Sequence, residues 1–410
     1  MKLTSSLLLI CFCLTAGWAQ SPKIYGIWRA GQGPWGNATT VPIAQMDLTT
    51  GLPITIDSIQ NVNAVVLGSS TFDQANQEYI FSGPDLTTGA QTRVFRFNVA
   101  NGGVINTPAL GETVNEYQYD MQQQKLFGLG GYIVDTTGPV PDYRTRLLAV
   151  NTLTGNVTEL FQFPEIGAVV VGSSTFNSDS AQIIFEGRDS LGVARMYVID
   201  VLTGAILQNA PMTNPANTFF NDWEYDHNLG KLYGLYRDNN VNILGFVEYD
   251  LTTNTYSVLD TITGLIGLTP SASVYDHATS TYVFTGVDNN SGNRLISIDA
   301  IAGQVATNVA LNGYYIELEC DNSAFGDARY GSIGLDEPEN LSLNVYPNPS
   351  HGSFTVEGPE GVYRLMDVQG RVVGEYIVPQ GTRSKTIEAP SRGVYILVHE
   401  SGAQNKVMVQ

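Results

Sequence analysis

The strongest constraint on the fold is a pair of sequence patterns that alternate along the chain. The shorter pattern occurs as NEYQYDMQQQKLFGL from Asn115 and NDWEYDHNLGKLYGL from Asn221. The longer pattern occurs as GSSTFDQANQEYIFSG from Gly68, GSSTFNSDSAQIIFEG from Gly172 and SASVYDHATSTYVFTG from Ser271. An Asp or Asn precedes a Gly by ten residues in each long copy and by eight in each short copy. Self-similarity with a period of about 20–50 residues indicates a repeat architecture.

Each copy consists of short runs of β-branched and aromatic residues, separated by turns rich in Gly, Asn and Thr. A strand and a turn of one type follow, as in AVNTLTGN from Ala149 and VIDVLTGA from Val198, where the Asp or Asn side chain can cap the turn. No long stretch has the periodicity of an amphipathic helix. The sequence therefore predicts an all-β fold.

One further copy is divided between the two ends of this region. IELECDN from Ile316 resembles the start of a short copy, and KIYGIWR from Lys23 resembles its continuation. Pairing Lys23–Arg29 with Ile316–Asp321 restores a sixth copy and removes exposed sheet edges, whereas a linear solenoid would need capping repeats. We therefore predict that residues 20–335 form a six-bladed β-propeller, closed by pairing of its N- and C-terminal strands.

Residues 1–19 are typical of a secretory signal peptide. Lys2 precedes an apolar run from Leu7 to Leu14, and Gly17 and Ala19 place small residues at the expected cleavage site. The run is shorter than the roughly 20 apolar residues that span a bilayer. Cleavage leaves Cys320 as the lone cysteine, so no intramolecular disulfide is expected.

Acidic residues are concentrated between residues 20 and 340. This region has 13 Lys and Arg against 33 Asp and Glu, a net charge of −20, whereas residues 341–410 have six of each sign. A negative surface repels nucleic acid and anionic membranes and favours cations or neutral partners. The charge also keeps an exported protein soluble. We therefore expect neither nucleic acid nor a membrane as a partner.

The composition changes after a polar linker at residues 336–343. Residues 344–410 alternate apolar and polar side chains between Gly and Pro turns, which predicts a small β-sandwich. Three short motifs follow one another in this segment: VYPNPS from Val345, MDVQGR from Met366, and GVYIL from Gly393 before a terminal strand containing Lys406.

These motifs, at the chain terminus and behind a signal peptide, resemble the C-terminal sorting domain of the type IX secretion system. The resemblance implies export across the outer membrane of a Bacteroidetes-type bacterium, with the type IX machinery as partner and a final location that is secreted or on the cell surface. An immunoglobulin-like accessory domain is the alternative. The resemblance assigns the sorting motif to Tyr346, Pro347, Asn348, Pro349, Gly352, Gly370, Gly393 and Tyr395.

Acidic residues recur at matching positions of the short copies. Four residues before the repeat Asp or its equivalent lie Glu116, Asp222 and Glu317, and two residues before it lie Gln118, Glu224 and Glu319. If the first strand of each blade lines a channel, carboxylates from alternate blades converge there. Oxygen ligands of this kind suit Ca²⁺, so Glu116, Asp222 and Glu317 are a candidate calcium site. Alternatively, the three side chains point between blades and bind backbone groups.

Two histidines and three aromatic residues complete the candidate positions. His227 and His277 each follow a repeat Asp, where a solvated turn residue is the interpretation favoured over a metal ligand. Trp28, Trp35 and Tyr132 lie in or beside the longest Gly- and Pro-rich connections and form a candidate surface for a glycan or protein ligand. Packing against neighbouring blades is the alternative for all three.

The sequence contains none of the common catalytic motifs, including the nucleophile elbow, the zinc-protease helix and the phosphate-binding loop. We therefore expect an exported binding or interaction protein on a propeller scaffold. One alternative is a metal-dependent hydrolase or polysaccharide lyase that uses the acidic channel residues. Another is a structural adhesion or surface-layer component.

Overall fold

A computed structural model describes residues 22–30, 39–137, 142–212, 218–241, 243–323, 344–358, 361–367, 371–379, 384–389, 391–399 and 404–410. The chain divides into two compact units, Met1–Phe325 and Gly326–Gln410. The predicted signal peptide, Trp35, the linker at residues 336–343 and Gly370 lie outside the described residues.

The prediction of an all-β fold is confirmed. The first unit has one short 3-10 helix in its described part, Leu86–Thr88, which begins after a cap from the Asp85 side chain. Its strands are β1 (Ile24–Ala30), β2 (Thr40–Met46), β3 (Pro53–Gln60), β4 (Thr71–Asp73), β5 (Glu78–Asp85), β6 (Gln91–Asn98), β7 (Val104–Asn106), β8 (Asn115–Asp120), β9 (Lys125–Asp135), β10 (Asp142–Val150), β11 (Val157–Phe163), β12 (Ile166–Val169), β13 (Thr175–Asn177), β14 (Gln182–Asp189), β15 (Ala194–Asp200), β16 (Ile206–Pro211), β17 (Thr218–Asp226), β18 (Lys231–Asp238), β19 (Ile243–Asp250), β20 (Thr255–Ile262), β21 (Leu265–Asp276), β22 (Thr281–Asp288), β23 (Asn293–Asp299), β24 (Gln304–Ala310) and β25 (Gly313–Cys320).

Within the described residues these strands form six antiparallel sheets, which we number along the chain. Sheet 1 has the strand order β25-β1-β2-β3, sheet 2 β4-β5-β6-β7, sheet 3 β8-β9-β10-β11, sheet 4 β12-β14-β15-β16, sheet 5 β17-β18-β19-β20 and sheet 6 β21-β22-β23-β24. In sheet 4 the short strand β13 also pairs with β14, so β12 and β13 together take the place of a single first strand.

Sheet 1 combines the two ends of the first unit. Strand β1 pairs with β25 in an antiparallel register that sets Ile24 opposite Cys320 and Trp28 opposite Tyr315. Beyond the strand, the amide of Asp321 donates a hydrogen bond of 2.9 Å to the carbonyl of Lys23.

The first strands of the six sheets contact one another in a cycle. β4 contacts β8, β8 contacts β13, β13 contacts β17, β17 contacts β21, β21 contacts β25, and β25 contacts β4. The apolar cores lie between neighbouring sheets, and one of them combines residues of sheets 1 and 2, including Ile43, Phe81 and Phe97. Each sheet therefore packs an apolar face against the sheet before it and another against the sheet after it.

Turns between strands carry the capping residues that the repeats predicted. The Asp200 carboxylate accepts the amides of Leu202 and Thr203, and the Asp250 carboxylate accepts those of Thr252 and Thr253. These side chains satisfy donors that the tight turn leaves without a ladder partner.

The second unit is also built from antiparallel strands. One sheet has the order β26-β27-β30 and the other β29-β28-β31-β32, and they enclose a core that includes Phe354, Leu365 and Leu397. The strands are β26 (Asn344–Tyr346), β27 (Ser353–Glu357), β28 (Gly361–Asp367), β29 (Val372–Val378), β30 (Ser384–Glu388), β31 (Gly393–His399) and β32 (Gln404–Val409).

Candidate functional site: the acidic centre of the first unit

Six residues near the centre, one associated with each sheet, have backbone angles in the left-handed region. Several interrupt the register of the ladder, as between Asn115 and Gln118 in sheet 3 and between Asn221 and Glu224 in sheet 5. A bulge of this kind leaves backbone groups unpaired and re-aims the side chain. The six residues are Gly68 (φ 70°), Glu116 (φ 53°), Gly172 (φ 75°), Asp222 (φ 57°), Ser271 (φ 53°) and Glu317 (φ 55°).

Two of these positions require glycine because the backbones approach closely. A Cβ atom on Gly172 would lie 2.6 Å from Ser271 Oγ and 2.8 Å from its amide nitrogen, and one on Gly68 would lie 2.4 Å from Glu116 Oε1. Glycine also adopts a positive φ without the steric strain that a Cβ atom brings. The small residues of the long copies therefore leave room for the acidic residues of the short copies.

Glu116 and Glu317 use their carboxyl groups to join neighbouring sheets. Glu116 Oε1 accepts the amide of Gly172 at 2.8 Å, and its Oε2 accepts the amide of Ser174 at 2.9 Å. Glu317 Oε1 accepts the amide of Gly68 at 2.9 Å. Both side chains are buried. Each glutamate therefore acts as a clamp on backbone amides that lie outside the strand ladders of the neighbouring sheet.

Asp222 occupies the third equivalent position but is one methylene shorter. Its side chain is 1 % exposed, and neither carboxyl oxygen has a hydrogen-bond partner of normal geometry. The amide of Ser271 nevertheless lies near enough to oppose the rise in the pKa of Asp222 that burial causes. The shorter side chain therefore leaves this clamp incomplete.

Burial favours the protonated form of all three acids. It raises the pKa of Glu116 to about 7 and that of Glu317 to about 8, against the opposing effect of the amide hydrogen bonds. It raises the pKa of Asp222 well above its usual value, and the charges of Glu224, Glu116 and Glu317 add to the rise. The charge of Glu116 likewise adds to the raised pKa of Glu317.

The calcium interpretation of these residues finds less support than the alternative. Both carboxyl oxygens of Glu116 already accept hydrogen bonds from backbone amides of sheet 4. Across the described ranges, no group of three or more His, Cys, Asp or Glu side chains is placed to hold a metal ion. The geometry favours carboxyl groups that bind backbone amides between sheets, and the calcium site stays a prediction.

A second set of polar residues lines a cavity of about 90 Å³, which also borders three of the left-handed residues, Gly68, Gly172 and Ser271. Each short-copy residue bonds to a serine of a long copy, giving three similar pairs. Gln118 Nε2 donates to Ser174 Oγ at 3.0 Å, Ser273 Oγ donates to Glu224 Oε1 at 2.8 Å, and Ser70 Oγ donates to Glu319 Oε1 at 2.6 Å. Burial raises the pKa of Glu224 to about 8 and that of Glu319 well above its usual value.

A larger cavity, of about 330 Å³, lies between sheets 3 and 4, and we call it the groove. It is lined by residues of β9, β10 and β12 and by the chain after β12. Gly130 and Gly131 form a wall without side chains, and Tyr143 and Val171 are 51 % and 39 % exposed. The walls are largely apolar, with Arg144 and Glu116 among the polar groups.

Of the three predicted ligand-binding aromatics, the structure describes Trp28 and Tyr132, which lie in different sheets. Trp28 is half-buried, and its ring lies 6.4 Å from that of Tyr315 within the core of sheet 1. Tyr132 is half-buried on β9, directly after the two glycines of the groove and opposite Arg144 in the ladder. Sequence reasoning missed the groove because its lining combines residues from separate repeats.

In the second unit, the first motif is joined to the last strand. Asn348 Nδ2 donates to the carbonyl of Lys406 at 2.6 Å, and its Oδ1 accepts the amide of Met408 at 2.9 Å. The amide of Ser350 donates to the carbonyl of Met408 at 2.8 Å. The side chain of Asn348 thus takes the place of a neighbouring strand along part of β32.

Apart from Gly370, the other predicted motif residues lie in the described part of the sorting domain. Tyr395 is buried on β31, and its hydroxyl bonds to Ser391 at 2.8 Å. Gly352 has a φ of 103°, and Gly393 begins β31. Pro347 and Pro349 follow cis peptide bonds, while Tyr346 is 49 % exposed.

Residues 344–410 match the family model of the secretion system C-terminal sorting domain. The second unit is a type IX sorting domain. The resemblance seen in the sequence is therefore confirmed, and the domain implies secretion of the first unit, which we call the passenger, to the cell surface or the extracellular space. In the described part of the chain, no helix has the length and apolar character needed to cross a membrane.

No curated protein matches this chain in sequence. Among solved structures, the chain is similar to TolB from Acinetobacter baumannii, at 15 % identity and a TM-score of 0.49 over 73 % of this chain and 67 % of that one. It is similar to the periplasmic gluconolactonase PpgL of Pseudomonas aeruginosa, at 12 % identity and a TM-score of 0.46 over 72 % and 99 %. It is also similar to hydrazine synthase from Kuenenia stuttgartiensis, at 12 % identity and a TM-score of 0.49 over 95 % and 67 %. At this level of similarity they assign no activity to this chain.

Proposed function

We propose that the passenger, residues 20–335, is a six-bladed β-propeller in which each of the six sheets is a blade. Support comes from the cycle of contacts among the first strands and from the pairing of β1 with β25. Closure of this kind completes the sheet that the two chain ends share and so joins the first blade to the last. The hydrogen bonds from Gly172 to Glu116 and from Gly68 to Glu317 also join neighbouring blades.

We further propose that the sorting domain exports this propeller as a binding protein and that its ligand contacts the groove. The observation that supports this role is an open, largely apolar cavity of about 330 Å³ beside two glycines and an exposed tyrosine, Tyr143. Ligand pockets are mostly apolar, with a few polar groups, and measure about 300–1,000 Å³. The groove lies at the lower end of that range, so it suits one flat unit of a larger ligand.

A glycan is the ligand class that fits these walls best. The flat face of a sugar ring packs against an exposed aromatic side chain, and the bare backbone of Gly130 and Gly131 lets a ring approach closely. A neutral polysaccharide is also compatible with the strongly negative passenger, which would repel an anionic one.

Affinity electrophoresis in gels containing soluble neutral polysaccharides tests this proposal. The mature protein should be retarded by at least one of them, and Y143A should lose the retardation. Leu207 on β16 is 54 % exposed and lies outside the lining of the groove, so L207A is the matched control and should migrate like the wild type. Equal retardation of all three proteins, or of none, would contradict a glycan site in the groove.

The enzymatic alternative would use Glu224, whose pKa of about 8 suits proton transfer near neutral pH, together with Glu319, which lines the same cavity. The cavity that contains them measures about 90 Å³, which admits a few water molecules but not a sugar ring. Release of new reducing ends from a polysaccharide, abolished by E224Q, would replace the binding proposal with a hydrolase or lyase. A structural surface-layer role would leave both assays negative.

A further inference from the structure

His227 and His277 form a pair in the passenger that the groove and the acidic centre do not use. Each follows the repeat Asp of its sheet, His227 after β17 and His277 after β21. Their ring centres are 4.8 Å apart, at an angle of 62°. The side chain of His227 is only 9 % exposed, so the expectation of a freely solvated turn residue was wrong for it.

The surroundings hold the two rings in place. Tyr225 packs edge-on against His227 at 5.1 Å, and Tyr275 packs against His277 at 5.0 Å. The amide of His277 donates to Asn322 Oδ1 at 3.0 Å. A neighbouring sheet thus holds the backbone of His277, and each ring packs against a tyrosine of its own strand, which lowers the entropy lost when a ligand binds the pair.

The separation of the rings matches that of two imidazoles on one metal ion. With metal–nitrogen bonds of about 2.0–2.1 Å and bond angles of about 90–110°, the ring centres of two bound imidazoles lie about 4.5–5.2 Å apart. The observed 4.8 Å falls within this interval. Aromatic packing alone produces similar distances, so the geometry needs a chemical test.

An acidic residue completes the environment of the pair. Asp179, from sheet 4, places a carboxylate oxygen 3.9 Å from Nδ1 of His227. At this distance the contact is electrostatic rather than a hydrogen bond, and the negative charge of Asp179 favours a cation bound nearby. The net charge of −20 on residues 20–340 adds a general attraction for cations.

From this arrangement we infer that His227 and His277 bind a late divalent transition-metal ion between sheets 5 and 6. Imidazole nitrogens suit Cu²⁺, Zn²⁺ and Ni²⁺, and the affinity order for such ligands places Cu²⁺ first. The described residues contain no group of three or more His, Cys, Asp or Glu side chains placed to hold a metal ion, so the protein supplies two ligands here. Water therefore completes the coordination, and the site exchanges its ion.

Electron paramagnetic resonance with Cu²⁺ tests the inference on the untagged mature protein, at less than one equivalent of copper. The wild type should show hyperfine coupling to two nitrogens, and H277Q to one, with a dissociation constant at least tenfold higher. H227Q/H277Q should lose the signal of the bound ion. His351 is exposed in the sorting domain, so H351Q is the matched control and should keep the wild-type spectrum.

The melting midpoints of the metal-free variants should stay close to that of the wild type, which separates loss of the ligands from loss of the fold. An unchanged copper spectrum in H227Q/H277Q would overturn the inference. Absence of two-nitrogen coupling in the wild type would do the same and would leave the pair as aromatic packing.

Discussion

The Oε1 atom of Glu317 accepts a hydrogen bond of 2.9 Å from the backbone amide of Gly68, 249 residues earlier in the chain. The bond joins the last strand of the passenger to the start of sheet 2. Glu116 makes the corresponding bond from sheet 3 to Gly172 of sheet 4. A pattern that looks like an acidic metal site in the sequence thus connects neighbouring sheets through buried carboxyl groups whose pKa values are raised by burial.

Removing this clamp should destabilise the passenger. E317A leaves the amide of Gly68 buried without an acceptor, which should lower the free energy of unfolding by about 1–3 kcal/mol. E317Q keeps a carbonyl acceptor and is the matched control, with a smaller loss. Urea unfolding followed by tryptophan fluorescence measures this selectively, because all tryptophans of the mature protein lie before residue 224. Equal losses in the two variants would contradict the clamp.

The central acids should make the passenger less stable as the pH rises. Burial raises the pKa values of Glu116, Glu224 and Glu317 from 4.5 to about 7 or 8, so the folded state binds more protons than the unfolded state between those values. The contribution of these acids to the free energy of unfolding is complete below about pH 4.5 and decreases as the pH rises to about 8. The decrease is at most about 1.4 kcal/mol per pH unit for each group. The thermal midpoint should therefore be higher at pH 5.5 than at pH 8.5.

The variant E224Q/E317Q tests the cause of this pH dependence, because glutamine does not ionise. Its midpoint should change less between pH 5.5 and pH 8.5 than that of the wild type. If the thermal midpoint of the wild type stays constant or rises over this interval, ionisation of the central acids does not destabilise the folded passenger.

The close approach at Gly172 should make this glycine irreplaceable. G172A adds a Cβ atom 2.6 Å from Ser271 Oγ, in addition to the strain of a positive φ, about 1–2 kcal/mol. Gly192 also has a positive φ, of 82°, but a Cβ atom there meets nothing within 4 Å. G192A therefore measures the backbone strain alone, and G172A should cost clearly more in the same unfolding experiment. Equal losses in the free energy of unfolding would contradict a steric clash between the new Cβ atom of G172A and Ser271.

Export should depend on the bond between the first sorting motif and the last strand. N348A removes both hydrogen bonds to β32, which we expect to destabilise the sorting domain by about 1–2 kcal/mol. A smaller fraction of the protein should then reach the cell surface, as measured by protease accessibility on whole cells. H351A changes an exposed neighbour and should be exported normally.

Deletion of residues 341–410 should trap the protein in the periplasm. Normal surface display of the truncated form would contradict a sorting role for this domain.

The repeats predicted the all-β fold, and they placed Glu116, Asp222 and Glu317 at equivalent positions, each of which has a left-handed backbone in the structure. They did not reveal that backbone amides, rather than a cation, satisfy Glu116. That outcome depends on the left-handed backbone at Gly172, which appears in the sequence only as a small residue. The His227–His277 pair was visible as two histidines at matching repeat positions, but their separation depends on how two sheets pack.

Calcium distinguishes the two interpretations of the acidic centre. A ligand that binds the folded state alone at 100 times its dissociation constant stabilises it by about 2.7 kcal/mol. Amides occupy both oxygens of Glu116. We therefore expect millimolar Ca²⁺ to shift the thermal midpoint of the wild type by no more than it shifts that of E116Q/E317Q. A rise confined to the wild type would establish the calcium site predicted from the sequence.

The central claim is that the passenger is a ring closed by β1 and β25, and a single substitution tests it. Ile24 lies opposite Cys320 in the ladder, and both side chains belong to the same buried cluster. Paired positions at this spacing are within reach of a disulfide. Tyr25, the next residue, belongs to the cluster on the other face of the sheet, so Y25C is the matched control.

The measurement is the number of free thiols in the oxidised, denatured mature protein, with peptide mapping of any cross-link. The account predicts that I24C forms an intramolecular disulfide with Cys320 and retains no free thiol, whereas Y25C retains two. Two free thiols in I24C, or a cross-link only between molecules, would contradict the closed ring.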